Sequence, residues 1–203
     1  MKQTEKTGLT VSRILDASTL EFGRNGYAGG TVNNICKSGI NKGLIYHNFR
    51  DKDALYLACL KRACEKLLAL IEESGAGTEL LQYMKIRMRF FEESPEEAHI
   101  FFEALLQPQE KLLQSIRQIL QPIEEINESI YRRTLSSVRL RDGITQEDAL
   151  RYFRQMQRMF NAYFGSPAYR SRALDEQIRE HETNLPKLLD FMLYGIAKGG
   201  AEK

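Results

Sequence analysis

Apolar residues recur at helical spacing along nearly the whole chain, and no stretch alternates with the period of two that a half-buried strand needs. That pattern confines the fold to the all-α class. A hydrophobic content of 42% over 203 residues is enough for a real core. The punctuation between helices is legible. The first helix starts near Thr10, carries Ile14, Leu15, Ala17 and Phe22 on one side, and ends at Gly26. Thr31 to Ser38 is the second helix, and Asn41 caps a third from Lys42 to about Asn48. Asp51 caps a long fourth helix, broken after Glu73 by Ser74-Gly75-Ala76-Gly77. Thr78 begins the fifth, ending near Glu93, and Ser94-Pro95-Glu96-Glu97 fits a capping box that opens the sixth through Leu106. A long seventh helical region follows Pro108, with Pro122 set to kink or split it. Thr145 and Asp148 form a second capping box opening an eighth helix to about Phe164, and Gly165-Ser166-Pro167 is a loop. The last helical region, from about Ser171 to Lys198, is interrupted at Pro186. The expectation is about nine helices.

Residues 26–55 are the most specific segment. Two short helices flank the turn Ser38-Gly39-Ile40, the pattern of a helix-turn-helix. The second helix of such a unit can lie in the DNA major groove. Ile45 and Phe49 share one face and are expected inside, which turns Lys42, Gly43, Leu44, Tyr46 and His47 outward. Gly43, without a side chain, lets the helix approach DNA closely. Lys42 can reach a guanine edge or a phosphate, and Leu44 a thymine methyl. Tyr46 and His47 offer donors to phosphate oxygens. Thr31 and Lys52 start the second and fourth helices, where a hydroxyl, amides or an ammonium can hold further phosphates.

Charge agrees with a polyanionic partner for the first third of the chain. Residues 1–71 hold eleven Lys/Arg against six Asp/Glu, whereas residues 72–128 hold five against twelve. Cys36, Cys59 and Cys64 form no CxxC or metal-ligand spacing, so reduced thiols and no metal are expected, with Cys59 or Cys64 open to a redox-sensing role. The polar N-terminus and the absence of a membrane-length apolar run lead us to expect a cytoplasmic protein with no membrane partner.

The order of motifs resembles the TetR family of bacterial transcriptional regulators. Its elements stand here as Ile14-Leu15-Asp16-Ala17, Phe22 through Gly26-Tyr27, Thr31-Val32-Asn33-Asn34-Ile35, Ser38-Gly39-Ile40, and Asn41-Lys42-Gly43-Leu44-Ile45-Tyr46-His47-Asn48-Phe49-Arg50-Asp51-Lys52-Asp53-Ala54-Leu55. The resemblance covers about residues 10–57. It implies Thr31, Lys42, Gly43, Leu44, Tyr46, His47 and Lys52 as DNA contacts. It implies an N-terminal three-helix helix-turn-helix domain, residues 1–55, followed by a helical-bundle domain for effector binding and dimerisation, residues 56–203. The implied partners are double-stranded DNA bearing a palindromic operator, a second copy of the chain, and a small-molecule effector.

Beyond the motif the sequence is less specific. The mixture of Met and aromatic side chains at Tyr83, Met84, Met88, Phe91, Phe101, Phe102, Leu105 and Met156 can line an adaptable apolar pocket or simply fill a core. Arg87, Arg89 and His99 can anchor a ligand or be solvated. Two late helices carry broad apolar faces, and the candidate dimer contacts are Phe153, Phe160, Tyr163, Leu185, Leu188, Leu189, Met192 and Ile196. The function expected is a homodimeric regulator, a repressor released by an apolar or amphipathic effector through a shift of the fourth helix. The alternative is a DNA-binding regulator with no effector, controlled by abundance. No nucleophile–base pair, phosphate loop or metal cluster suggests an enzyme, and no cofactor is expected.

Overall fold

A computed structural model describes residues 3–75 and 79–196, with side chains from residue 8 to residue 195 outside the gap. The described residues form ten α-helices and no strand. The helices are α1 (Gln3–Gly29), α2 (Val32–Cys36), α3 (Lys42–Asn48), α4 (Lys52–Glu73), α5 (Leu80–Glu93), α6 (Pro95–Leu106), α7 (Leu113–Ser136), α8 (Gln146–Phe164), α9 (Pro167–Arg170) and α10 (Leu174–Ile196). A 3-10 turn, Glu110–Leu112, leads into α7.

The local signals place most boundaries. Gly26 takes the left-handed conformation (φ 66°) and breaks α1, which resumes for one short turn to Gly29. Thr31 accepts a hydrogen bond from the Asn34 amide, and Asn41 from the Gly43 amide, so both helices of the turn motif are capped by side chains. Gly39 holds φ 86° between them, a conformation that only glycine reaches without steric cost. Thr145 and Asp148 complete their capping box.

Other expectations fail for tertiary reasons. Ser94 makes no side-chain cap, and the Glu97 carboxylate that a capping box would turn back to the Ser94 amide pairs with Lys66. Neither Pro122 nor Pro186 ends its helix; each forfeits only one amide bond within a long apolar-faced segment. The loop read at Gly165-Ser166-Pro167 runs at Pro167 into the single turn of α9, which lies ahead of the last helix. The expected starts and ends at Thr78 and Lys198 lie outside the described residues.

The chain divides into two compact units, one formed by residues up to Lys66 with Phe91–Leu120, the other by Leu67–Phe90 with the chain from Gln121 onward. The first unit therefore holds the helix-turn-helix and also α6. Gly23 explains why they pack so closely: a Cβ there would meet the Glu96 backbone at 2.6–2.8 Å. Ile14, Phe22, Ile35, Ile45, Leu55, Leu60 and Phe102 fill this core. The second unit is built around Tyr131 and Phe153, whose rings stack at 4.1 Å between centroids, together with Leu67, Phe164 and Leu189.

Candidate nucleic-acid interface and regulatory core

The turn motif presents one row of side chains. Ile45 is buried and Phe49 half-buried, which fixes the roll of α3. Lys42, Gly43, Leu44, Tyr46 and His47 are all exposed on that short helix, and Thr31 is exposed at the start of α2. The Lys42 ammonium donates to Asn33 Oδ1 at 3.0 Å, a link between α3 and α2. Lys52 is half-buried and turns back, with Nζ 3.4 Å from the Ala28 carbonyl and 4.6 Å from the centre of the Tyr27 ring.

The Thr31 amide, expected to be open for a phosphate, donates to Glu21 Oε1 at 3.0 Å, and Asn34 Nδ2 donates to the same oxygen at 2.9 Å. A carboxylate from α1 thus sits where an anion is favoured. Glu21 breaks the apolar pattern of α1, which was the only signal available for it.

Behind the motif, α6 clamps the end of α1. The Tyr27 amide donates to both Glu103 oxygens at 2.9 Å, and the Tyr56 hydroxyl donates to Oε2 at 3.0 Å. Burial pushes the Glu103 carboxyl up, against these donors. His99 Nδ1–H donates to the Gly23 carbonyl at 2.6 Å. The Tyr27 hydroxyl donates to Asp53 at 2.5 Å, and Lys111 reaches the same carboxylate at 2.7 Å. Sequence separations of up to 76 residues hid these partners.

The expected pocket residues do not come together as a set. Phe91, Phe101 and Phe102 belong to the first unit and pack ring against ring, with centroids 4.8–5.3 Å apart. Leu105, on the same helix, is half-buried in that unit. The reason is that α6 lies on α1 and turns its apolar face into that core. Met88 is exposed and Met156 half-buried. Tyr83 and Met84 line a void of about 10 Å³ in the second unit, shared with Asn127, Tyr131 and Gln157.

Arg87, expected as a ligand anchor or a solvated side chain, is fully committed inside the second unit. Its guanidinium makes a bidentate pair with Glu182 at 2.8 and 3.0 Å, both side chains being 4% exposed. His181 lies beside it, with Nδ1 3.0 Å from Glu182 Oε1 and Nε2 3.0 Å from Asn161 Oδ1. Burial pushes the His181 ring below its ordinary value. Burial would raise the Glu182 carboxyl, but Arg87 and His181 outweigh it and hold the group at about 2.

The expected dimer contacts are also split. Phe153, Leu185, Leu189 and Met192 are buried in the chain's own core. Phe160 and Leu188 are half-buried and Tyr163 is exposed, while the Ile196 side chain lies outside the described residues. The same two helices expose other apolar groups that were passed over: Tyr152 and Met159 on α8, Phe191 and Tyr194 on α10. Cys59 and Cys64 are buried, and burial pushes the Cys59 thiol up to about 11, which leaves it no reactive thiolate near neutral pH. No helix among the described residues is long and apolar enough to cross a membrane, and no group of three His, Cys, Asp or Glu among them could hold a metal ion.

Residues 14–59 match the family model described as bacterial regulatory proteins, tetR family. Residues 14–59 thus carry the N-terminal segment of the tetR family. Among curated relatives, the HTH-type transcriptional regulator UidR of Escherichia coli (strain K12) is 37% identical over 76 residues, 37% of this chain and 39% of UidR. The HTH-type transcriptional repressor AcnR of Corynebacterium diphtheriae is 31% identical over 78 residues, 37% of this chain and 41% of AcnR. The match thus spans about two-fifths of the length of these relatives. The likeness of fold extends further. The transcriptional regulator FadR of Bacillus subtilis, solved in complex with stearoyl-CoA, superposes with a TM-score of 0.65 at 18% identity, covering 91% of this chain and 98% of that one. FadR of Bacillus halodurans gives 0.65 at 13% identity over the same shares. These two structures establish the all-α fold across nearly the whole chain.

Proposed function

We propose that the protein is a homodimeric, sequence-specific DNA-binding transcriptional regulator, and not an enzyme: a repressor that a small apolar or amphipathic effector releases from a palindromic operator. The observation that carries the reading is the exposed row Lys42, Gly43, Leu44, Tyr46 and His47 on a helix fixed by buried Ile45 and capped by Asn41. Thr31 and Lys52 add phosphate contacts at its flanks. Residues 1–55 read DNA in this proposal, and residues 56–203 bind the effector and dimerise.

Dimerisation is supported by apolar groups left at the surface of α8 and α10. Tyr152, Met159 and Tyr163 are 54–58% exposed, and Phe191 and Tyr194 are 70–72% exposed. Paired about a two-fold axis, such faces form a four-helix bundle. A two-fold dimer suits two half-sites one turn of DNA apart. A cleft of about 780 Å³ in the second unit supports an effector over control by abundance alone, since that volume suits a drug-sized ligand. Because α4 contributes to both units, effector and DNA are expected to weaken each other's binding by the same factor.

In vitro selection from random duplex DNA at two salt concentrations tests the reading. Enrichment of a palindrome supports it; no enrichment at either salt counts against it. Glu21 provides a second check. Because its carboxylate holds the Thr31 amide, Glu21→Gln should tighten DNA binding by about two- to tenfold at low salt, and the gain should shrink as salt screens the repulsion. Weaker binding of the variant would mean that Glu21 positions α2 and does not compete with phosphate.

A further inference from the structure

Tyr131 is the unexplained polar group of the second unit. Its side chain is 1% exposed, and its hydroxyl has no hydrogen-bond partner among the described residues. A buried hydroxyl in that state costs free energy and calls for a reason. Burial pushes the phenol up to about 12, so at neutral pH the group is a proton donor. Tyr131 lines the void of about 10 Å³, room for one water-sized atom. Three of the side chains around that void, Leu80, Met84 and Leu189, also line the 780 Å³ cleft. These shared apolar side chains border both spaces, and Met84 is the most adaptable of them, with three rotatable bonds.

We infer that void and cleft are one binding site for an uncharged amphiphile, whose carbonyl oxygen accepts the Tyr131 hydroxyl while its apolar body lies in the cleft beyond Met84. The inference rests on the effector reading and gives it a chemical class. A carbonyl oxygen matches the size of the void and the unpartnered hydroxyl donor that lines it. A carboxylate does not, because the buried cation of this unit, Arg87, is already paired with Glu182. The cleft is also balanced, with Arg133 and Lys187 against Glu79 and Asp190. A buried anion would go uncompensated.

The test compares the full-length protein with Tyr131→Phe, using methyl octanoate and octanoate as probes in isothermal titration calorimetry, alongside thermal unfolding without probe. Phenylalanine keeps the ring stack on Phe153, so the variant should fold. Three results are expected. Wild type binds methyl octanoate more tightly than octanoate. Tyr131→Phe weakens the ester by about three- to tenfold. The variant's Tm without probe rises by about 2–4 °C, because an unsatisfied hydroxyl has gone. The inference is overturned if methyl octanoate does not bind up to its solubility limit, if octanoate binds as well or better, or if the substitution leaves ester affinity unchanged, whatever the Tm. No DNA enters these measurements, so their failure leaves the DNA-binding reading standing, and failure of the DNA selection leaves them standing.

Discussion

Glu182→Ala is expected to destabilise the protein by about 3–5 kcal/mol, since it leaves the Arg87 guanidinium buried without its counter-charge. For a chain of this length that lowers Tm by roughly 10 °C or more. The cost is that of an orphaned charge, not the net worth of the pair, so a double replacement of Arg87 and Glu182 by apolar side chains of similar volume should cost much less. Acid should reproduce part of the effect. Glu182 has its folded value lowered from 4.5 to about 2, so the unfolded chain binds the proton more readily. Its stabilisation is complete above about pH 4.5 and is lost as pH falls towards 2. His181, lowered from 6.5 by burial, acts in the same direction, and stability begins to fall below about pH 6.5. Unfolding midpoints of wild type and Glu182→Ala followed from pH 7 to 3 should therefore converge on acidification. Parallel curves would show that Glu182 is not ionised in the folded protein.

Lys42→Ala is expected to weaken operator binding by about 1–3 kcal/mol if the ammonium reads a guanine, with relaxed preference at one base pair. If it contacts a phosphate instead, the loss is uniform across sequences and the salt slope falls by about one. Tyr46→Ala should weaken binding too, through a lost donor to the backbone. Both side chains are exposed, so Tm should stay within a degree or two of wild type. Fluorescence anisotropy on the selected duplex, repeated with single-base changes and at several salt concentrations, separates the two roles of Lys42. Wild-type affinity in both variants would remove α3 from the interface.

Much of the first unit is legible in the chain because its signals are local. Gly39 in the turn, Asn41 as a cap and Ile45 as the buried side of α3 are each separated from their effects by a few residues. Glu103 is different. It holds the Tyr27 amide and the Tyr56 hydroxyl from 76 and 47 residues away, and nothing in its own helix marks it. Arg87 and Glu182 lie 95 residues apart, and nothing local to either residue marks the other as its partner.

Sequence alone determined the helical class, the capped and glycine-hinged turn motif, and the side of α3 that faces outward, since hydrophobic period and cap chemistry act over one or two turns. Only the tertiary structure decided which of several apolar faces is inside. On α8, Phe153 and Phe164 enter the core while Tyr152, Met159 and Tyr163 remain outside; on α10, Leu185, Leu189 and Met192 enter while Phe191 and Tyr194 do not. A helix apolar on more than one side carries no record of which side its own chain will cover. That choice is made by the distant helices that pack against it, as is the pairing of every buried charge.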